Sequence, residues 1–186
     1  MPECNVCDDS SSEESTKQEL NAKAEKSAQA VMEKLKDLSL TLALAESCTA
    51  GLISSLLVNT NGASANFWGA FVCYMLEAKT AMLGLKNEDL LAHGQVSRET
   101  ACSMAKGALE KSGADIAVAV TGFAGQNGDN KARGGTIWAA IIKKGGEIHT
   151  KEWYFTGFRN NIRYEAAAAV LEEIELVLKL RTFGSG

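Results

Sequence analysis

Between an apolar run at 40–45 and a second at 52–58 lies the polar hexad Glu46-Ser47-Cys48-Thr49-Ala50-Gly51. The first run reads as a short buried strand and the second as a helix, so the hexad forms the turn between them. Backbone N–H groups at a helix start lack intrahelical partners and carry partial positive charge. They can hold a phosphate, a carboxylate or a developing oxyanion. A hydroxyl placed there, such as that of Ser47, suits a nucleophile. Ser47 and Thr49 equally suit plain helix caps.

Three further stretches carry candidate chemistry. Tyr74 and Lys79 bracket the end of an apolar segment and the start of a helix. A lysine at a buried rim loses solvation, its pKa falls, and it can take a proton from a neighbouring serine. An exposed lysine with a tyrosine at the core edge is the plainer alternative. The loop at 121–135 follows another buried strand and begins Thr121-Gly122-Phe123-Ala124-Gly125. Its glycines admit close approach of a ligand to the backbone, yet it is neither a Walker A loop nor G-x-G-x-x-G. Arg159 and Arg163, four apart at the head of the last helix, share one face and suit a phosphate; surface ion pairing with Glu165 would use them equally well. His93 and His149 lack acidic or cysteine neighbours at ligand spacing, so no metal is expected and no cofactor is called for. Cys48 has no histidine partner and reads as a buried thiol.

The elements that must hold these groups follow from the pattern of apolar residues. Leu20, Ala24, Ala28, Val31, Leu35 and Leu38 recur at helical steps. Strands are expected at 40–45, 67–74, 116–120, 136–142 and 148–155, the last two as a hairpin around Lys143-Lys144-Gly145-Gly146. Helices are expected at 52–58, 78–83, 87–92, from a Ser97 cap to Gly113, and at 162–180. Uniformly apolar strands alternating with helices describe a single-domain α/β/α sandwich around a mixed, mostly parallel sheet. Ligands in such sheets bind beyond the strand C-termini, where the 46–51 turn and the 121–135 loop both lie. Residues 1–16, rich in Ser, Asp and Glu, read as a disordered tail. The folded domain is expected over 17–182, with a flexible end at 183–186.

Composition narrows the function further. The 186 residues carry a net charge of −4 with no basic block, which argues against a nucleic-acid partner. No apolar run approaches the roughly 20 residues of a membrane span. The acidic, polar start resembles neither a secretory signal nor a transit peptide. The five cysteines are odd in number and Cys48, Cys73 and Cys102 sit in apolar segments, as reduced thiols do. A cytoplasmic protein is expected. Cys4 and Cys7 lack a second pair for a zinc site.

In chain order, these segments resemble the C-terminal domain of the CinA family. Residues 45–52 are similar to its AESCTGGL signature, and Gly69-Ala70-Phe71-Val72-Cys73-Tyr74 with Glu77-Ala78-Lys79 to its GFVTYSNEAK. Residues 92–97 are similar to AHGAVS, 117–125 to AVAVTGIAG, 135–138 to GTVW, and 155–163 to FxGDRxxIR. The blocks run from about Val31 to Leu180. The resemblance implies a nicotinamide mononucleotide amidohydrolase in pyridine nucleotide salvage, in which the carboxamide becomes a carboxylate and ammonia leaves. It implies Ser47 as nucleophile, activated by Lys79 and Tyr74. It implies Glu46, Thr49, Gly51, Ser64, Thr121, Gly122, Gly125, Arg159 and Arg163 around the substrate, its phosphate included. It also implies self-association into a homo-oligomer.

Four changes near that pocket depart from the family pattern. Met75-Leu76 replaces Ser-Asn, Gln126 replaces a proline, the loop after it lacks the usual Gly-Gly and Lys-Pro-Val, and Phe158 replaces an aspartate. A non-catalytic nucleotide-binding relative, or an amidohydrolase with a changed substrate, therefore stand as alternatives.

Overall fold

The computed structural model describes residues 9–180, with side chains from 17 onward. Five strands, β1 (Leu42–Glu46), β2 (Phe67–Val72), β3 (Ile116–Gly122), β4 (Thr136–Lys143) and β5 (Ile148–Tyr154), form one sheet in the order β2-β1-β3-β4-β5. β1 pairs in parallel with both β2 and β3, whereas β4 runs antiparallel to β3 and to β5. Four strands thus share a direction and only β4 opposes them, which is the mixed α/β sheet expected.

Alternation along the strands sends side chains to two different helical layers. Leu42, Leu44, Ile116, Val118, Ile137 and Ile141 face α1 (Asp9–Asp37), α2 (Leu52–Val58) and α6 (Arg159–Lys179). α1 and α6 lie along each other there, joined through Ala24, Ala28, Val31, Ala167, Val170 and Ile174. The other face is built largely from alanines, Ala45, Ala117, Ala119 and Ala140, under α3 (Leu76–Leu83), α4 (Asn87–His93) and α5 (Arg98–Ser112). Small side chains let α5 settle close to the sheet and to α3. A Cβ on Gly107 of α5 would stand 2.2 Å from the Leu83 carbonyl oxygen. At the strand starts, Asp115 accepts hydrogen bonds from the Thr41 amide (2.8 Å) and hydroxyl (2.7 Å), tying β3 to β1.

Some boundaries differ from the sequence expectation. α1 begins at Asp9, so residues 9–16, expected as tail, are helical. A helix nucleated by a packed face adds a hydrogen bond for each further residue it fixes, and it propagates into a polar segment. Residues 1–8, with Cys4 and Cys7, and 181–186 lie outside the described residues. β1 runs through Glu46 because that residue has partners on both sides, Val72 and Val120. Among the described residues no helix is long and apolar enough to cross a membrane.

Candidate active site

The candidate residues gather where β1, β2 and β3 end. Glu46 is fully buried, and its carboxylate accepts four hydrogen bonds. These come from the amides of Gly51 (2.9 Å), Ile53 (3.3 Å) and Ser54 (2.8 Å) and from the Ser54 hydroxyl (2.5 Å). It therefore caps α2 from within the chain, satisfying donors a helix start leaves open. The sequence expectation places Glu46 around the substrate; here its carboxylate is engaged by Gly51, Ile53 and Ser54, and most α2 N-terminal amides are already occupied. The chain reaches this geometry through two left-handed residues, Ala50 (φ 51°) and Gly51 (φ 89°). Glycine takes that conformation freely, while for Ala50 it costs about 1 kcal/mol.

Ser47 is pinned ahead of that cap. Its amide donates to the Val120 carbonyl at 3.0 Å, and the neighbouring Cys73 amide donates to the Glu46 carbonyl at 2.8 Å. The amides of Cys48 and Thr49, which approach the Cys48 sulfur, have no carbonyl acceptor among the described residues. They follow Ser47 directly along the chain.

Lys79 comes from α3 on the opposite side of the sheet end and is 1% exposed. Its Nζ sits 3.0 Å from Ser47 Oγ, 3.1 Å from the Cys73 carbonyl and 3.0 Å from the Tyr74 carbonyl. Among the described residues no carboxylate lies in ion-pair range of it. Burial holds its pKa below the ordinary lysine value, opposed by charge on Cys73 and Cys48. Burial also pushes both thiols upward, Cys48 to about 12, so at neutral pH they are uncharged and the opposition lapses. A neutral amine has two N–H donors and one lone pair. The ammonium form donates to all three partners, Ser47 Oγ included; once neutral, the amine keeps both carbonyls and turns its lone pair to the Ser47 hydroxyl.

Tyr74 contributes its backbone to Lys79 but not its phenol. The phenol oxygen accepts from Arg159 Nη2 at 2.7 Å. The sequence expectation has Tyr74 activating Ser47 together with Lys79; here its phenol is turned to Arg159, while its backbone carbonyl turns inward to Lys79. Arg159 lies beside Gly125, and both line a cleft of about 210 Å³ with Cys48, Tyr74, Gly122 and Asn127. Arg163 reaches the Thr49 carbonyl at 2.8 Å and braces the turn, with no ion pair to Glu165. The Thr49 hydroxyl is buried with no partner among the described residues. Thr121 is buried and donates to the Gln95 carbonyl at 2.8 Å, anchoring the 94–97 connection under the loop. Gly122 packs so closely on β4 that a Cβ would meet Ile137 Cδ1 at 2.4 Å.

Ser64 is not brought to this cluster. It precedes β2, whose start pairs with Leu42, whereas Ser47 follows the end of β1. The four strand steps from Leu42 to Glu46 alone span roughly 13 Å. Sequence reading missed the Cys73, Gln95 and Thr49 carbonyls, which organise Lys79, Thr121 and Arg163. Backbone oxygens carry no residue signature, so nothing in the sequence marks them. Among the described residues no three or more His, Cys, Asp or Glu side chains converge as metal ligands would.

The CinA C-terminal domain model matches residues 24–178, which include every one of these side chains. The chain belongs to the CinA C-terminal domain family. This CinA-family chain is 44% identical over 143 residues to a CinA-like protein of Chlorobium chlorochromatii, covering 76% of the chain and 34% of that protein. It thus spans about a third of the length of such CinA-like relatives. It is 38% identical over 141 residues to the nicotinamide-nucleotide amidohydrolase PncC of Escherichia coli, covering 75% of the chain and 86% of that protein. The crystal structure of competence/damage inducible protein CihA from Agrobacterium tumefaciens superposes with a TM-score of 0.79 at 37% identity, covering 85% of this chain and 96% of that one.

Proposed function

We propose that this chain is an amidohydrolase that converts the carboxamide of nicotinamide mononucleotide to a carboxylate and releases ammonia. The observation that carries the reading is the buried Lys79 amine, with no acidic partner among the described residues, 3.0 Å from the Ser47 hydroxyl. The name of the Escherichia coli relative supports the substrate.

Lys79 accepts the Ser47 proton as Oγ attacks the carboxamide carbon. The Cys48 and Thr49 amides meet the oxyanion of the tetrahedral intermediate. Lys79 returns the proton to nitrogen, the C–N bond breaks and ammonia leaves. Water then hydrolyses the Ser47 ester, giving the carboxylate and restoring the hydroxyl. Arg159, freed from Tyr74, takes the substrate phosphate at the cleft rim, and Gly125 lets the ligand lie against the loop backbone that Gly122 holds close to β4. Arg163 and Glu46 hold the turn in place, and neither touches the substrate.

The test is ammonia release from nicotinamide mononucleotide by the native chain, Ser47→Ala and Lys79→Ala, with hydroxylamine trapping of the ester. Release by the native chain, lost by at least about a hundredfold in both variants, is expected. A native chain that binds the nucleotide and releases no ammonia would instead be a binding protein. Release that survives in Ser47→Ala would assign attack to water.

A further inference from the structure

Two helices begin at the rim of the cleft, and both have an apolar residue where a capping side chain belongs. Met75 is the N-cap residue of α3 (φ −82°, ψ 161°) and Phe158 that of α6 (φ −74°, ψ 148°), and neither side chain makes a capping hydrogen bond. Ser, Thr, Asp and Asn are the stabilising choices at that position. Both residues instead present their side chains to solvent, each 64% exposed. Helix stability and core packing therefore account for neither. Their placement is shared. Met75 follows Tyr74 and Phe158 precedes Arg159, the two rim residues that hydrogen-bond to each other at 2.7 Å. Tyr74 is itself 54% exposed. The cleft that Tyr74 and Arg159 line, with Met75 and Phe158 next to them in the chain, holds about 210 Å³, below the roughly 300–1,000 Å³ of sites that enclose their ligands. A nucleotide whose carboxamide reaches Ser47 must extend over this rim.

We infer that Phe158, Met75 and Tyr74 form an outer subsite for an aromatic base. The favoured substrate is then a nicotinamide nucleotide whose phosphate carries a second nucleoside. This inference rests on the amidohydrolase reading. Its chemistry is base stacking on aromatic faces and thioether contact with a ring edge. Arg159, next to Phe158, meets the phosphates between the two nucleosides.

Ammonia release is measured from nicotinamide mononucleotide and from nicotinamide adenine dinucleotide, with the native chain, Phe158→Asp and the Phe158→Asp/Met75→Ser double variant. The native chain should favour the dinucleotide by about tenfold in kcat/KM, the worth of one stacked base. The double variant should lose that preference through the dinucleotide's KM. A native chain without the preference, or an equal fall for both substrates, overturns the subsite and leaves the amidohydrolase reading intact. Binding of both nucleotides to Ser47→Ala is read alongside. Absence of ammonia from both substrates overturns the reaction, and the subsite then stands or falls on whether tighter dinucleotide binding is lost with Phe158→Asp. Size-exclusion chromatography separates the other occupant. Variants that change oligomeric state with an unchanged substrate ratio make this rim a contact with a second copy of the chain, and the inference is wrong.

Discussion

Replacing Glu46 by alanine separates a structural carboxylate from a substrate-binding one. The side chain is fully buried and accepts four hydrogen bonds, two of them from first-turn amides of α2 and one from the amide of its N-cap residue Gly51. A hydrogen bond to a charged group contributes about 1.5–3 kcal/mol, and donors left without an acceptor in a buried place lose still more. The four share one carboxylate and do not add fully, so a loss of about 3–5 kcal/mol is expected for Glu46→Ala. That is a large part of the 5–15 kcal/mol, in round terms about 10, that holds a domain together. For a chain of this size it lowers Tm by about 10 °C. Glu46→Gln keeps one acceptor but turns an amide NH₂ toward N–H donors, and about 2 kcal/mol should be lost. Urea unfolding followed by far-ultraviolet circular dichroism reads both values. Loss of activity should track loss of fold. A Glu46→Ala chain destabilised by less than about 1 kcal/mol, with a raised KM, would refute the capping argument and restore Glu46 to the substrate.

Other outcomes follow from the same geometry. Lys79 has a folded-state pKa below its unfolded one, so the unfolded chain binds the extra proton and stability rises with pH across the window between the two. Lys79→Met should abolish ammonia release, flatten that rise and leave Tm at neutral pH no lower than native; a marked fall in Tm would contradict a lysine whose burial opposes its charge. For the same reason the native rate should climb with pH through a midpoint below the ordinary lysine value, which a pH–rate profile would record. Cys48→Ala should keep ammonia release within about threefold of native while costing about 1 kcal/mol of stability, because a thiol pushed up to about 12 supplies no thiolate. Abolished release in that variant would move the nucleophile to Cys48. The Thr41 hydroxyl and then its amide hold the Asp115 carboxyl below its ordinary value, so this contribution is full above the unfolded carboxylate pKa and is lost as pH falls through the folded one. Thr41→Val should raise the acid midpoint of unfolding, and an unchanged midpoint would show the contact to be idle.

Much of the fold was legible because burial repeats along the chain. The helical steps of Ala24, Ala28, Val31 and Leu35 and the unbroken apolar run of β3 each need only a few neighbouring residues to declare themselves. The Ser97 cap was legible too, and its hydroxyl accepts from the Thr100 amide as the local pattern predicts. Glu46 was the opposite case. An acid between a strand and a polar turn looks like a ligand-binding group, and only the return of α2 over β1 shows which donors claim it.

The sequence by itself determined the alternation of strands and helices, the mixed sheet and the two polar segments that had to lie beyond the strand ends. These follow from short-range periodicity and from the rule that strand C-termini present the loops. The tertiary structure decided what each polar atom does. It set Lys79 between a hydroxyl and two carbonyls, turned the Tyr74 phenol away to Arg159, enclosed Glu46 beneath α2 and left Ser64 at the far end of the sheet. The physical reason is that hydrogen bonds and desolvation depend on distances of a few ångströms between residues tens of positions apart, and those distances exist only once the sheet has brought the ends of β1, β2 and β3 together.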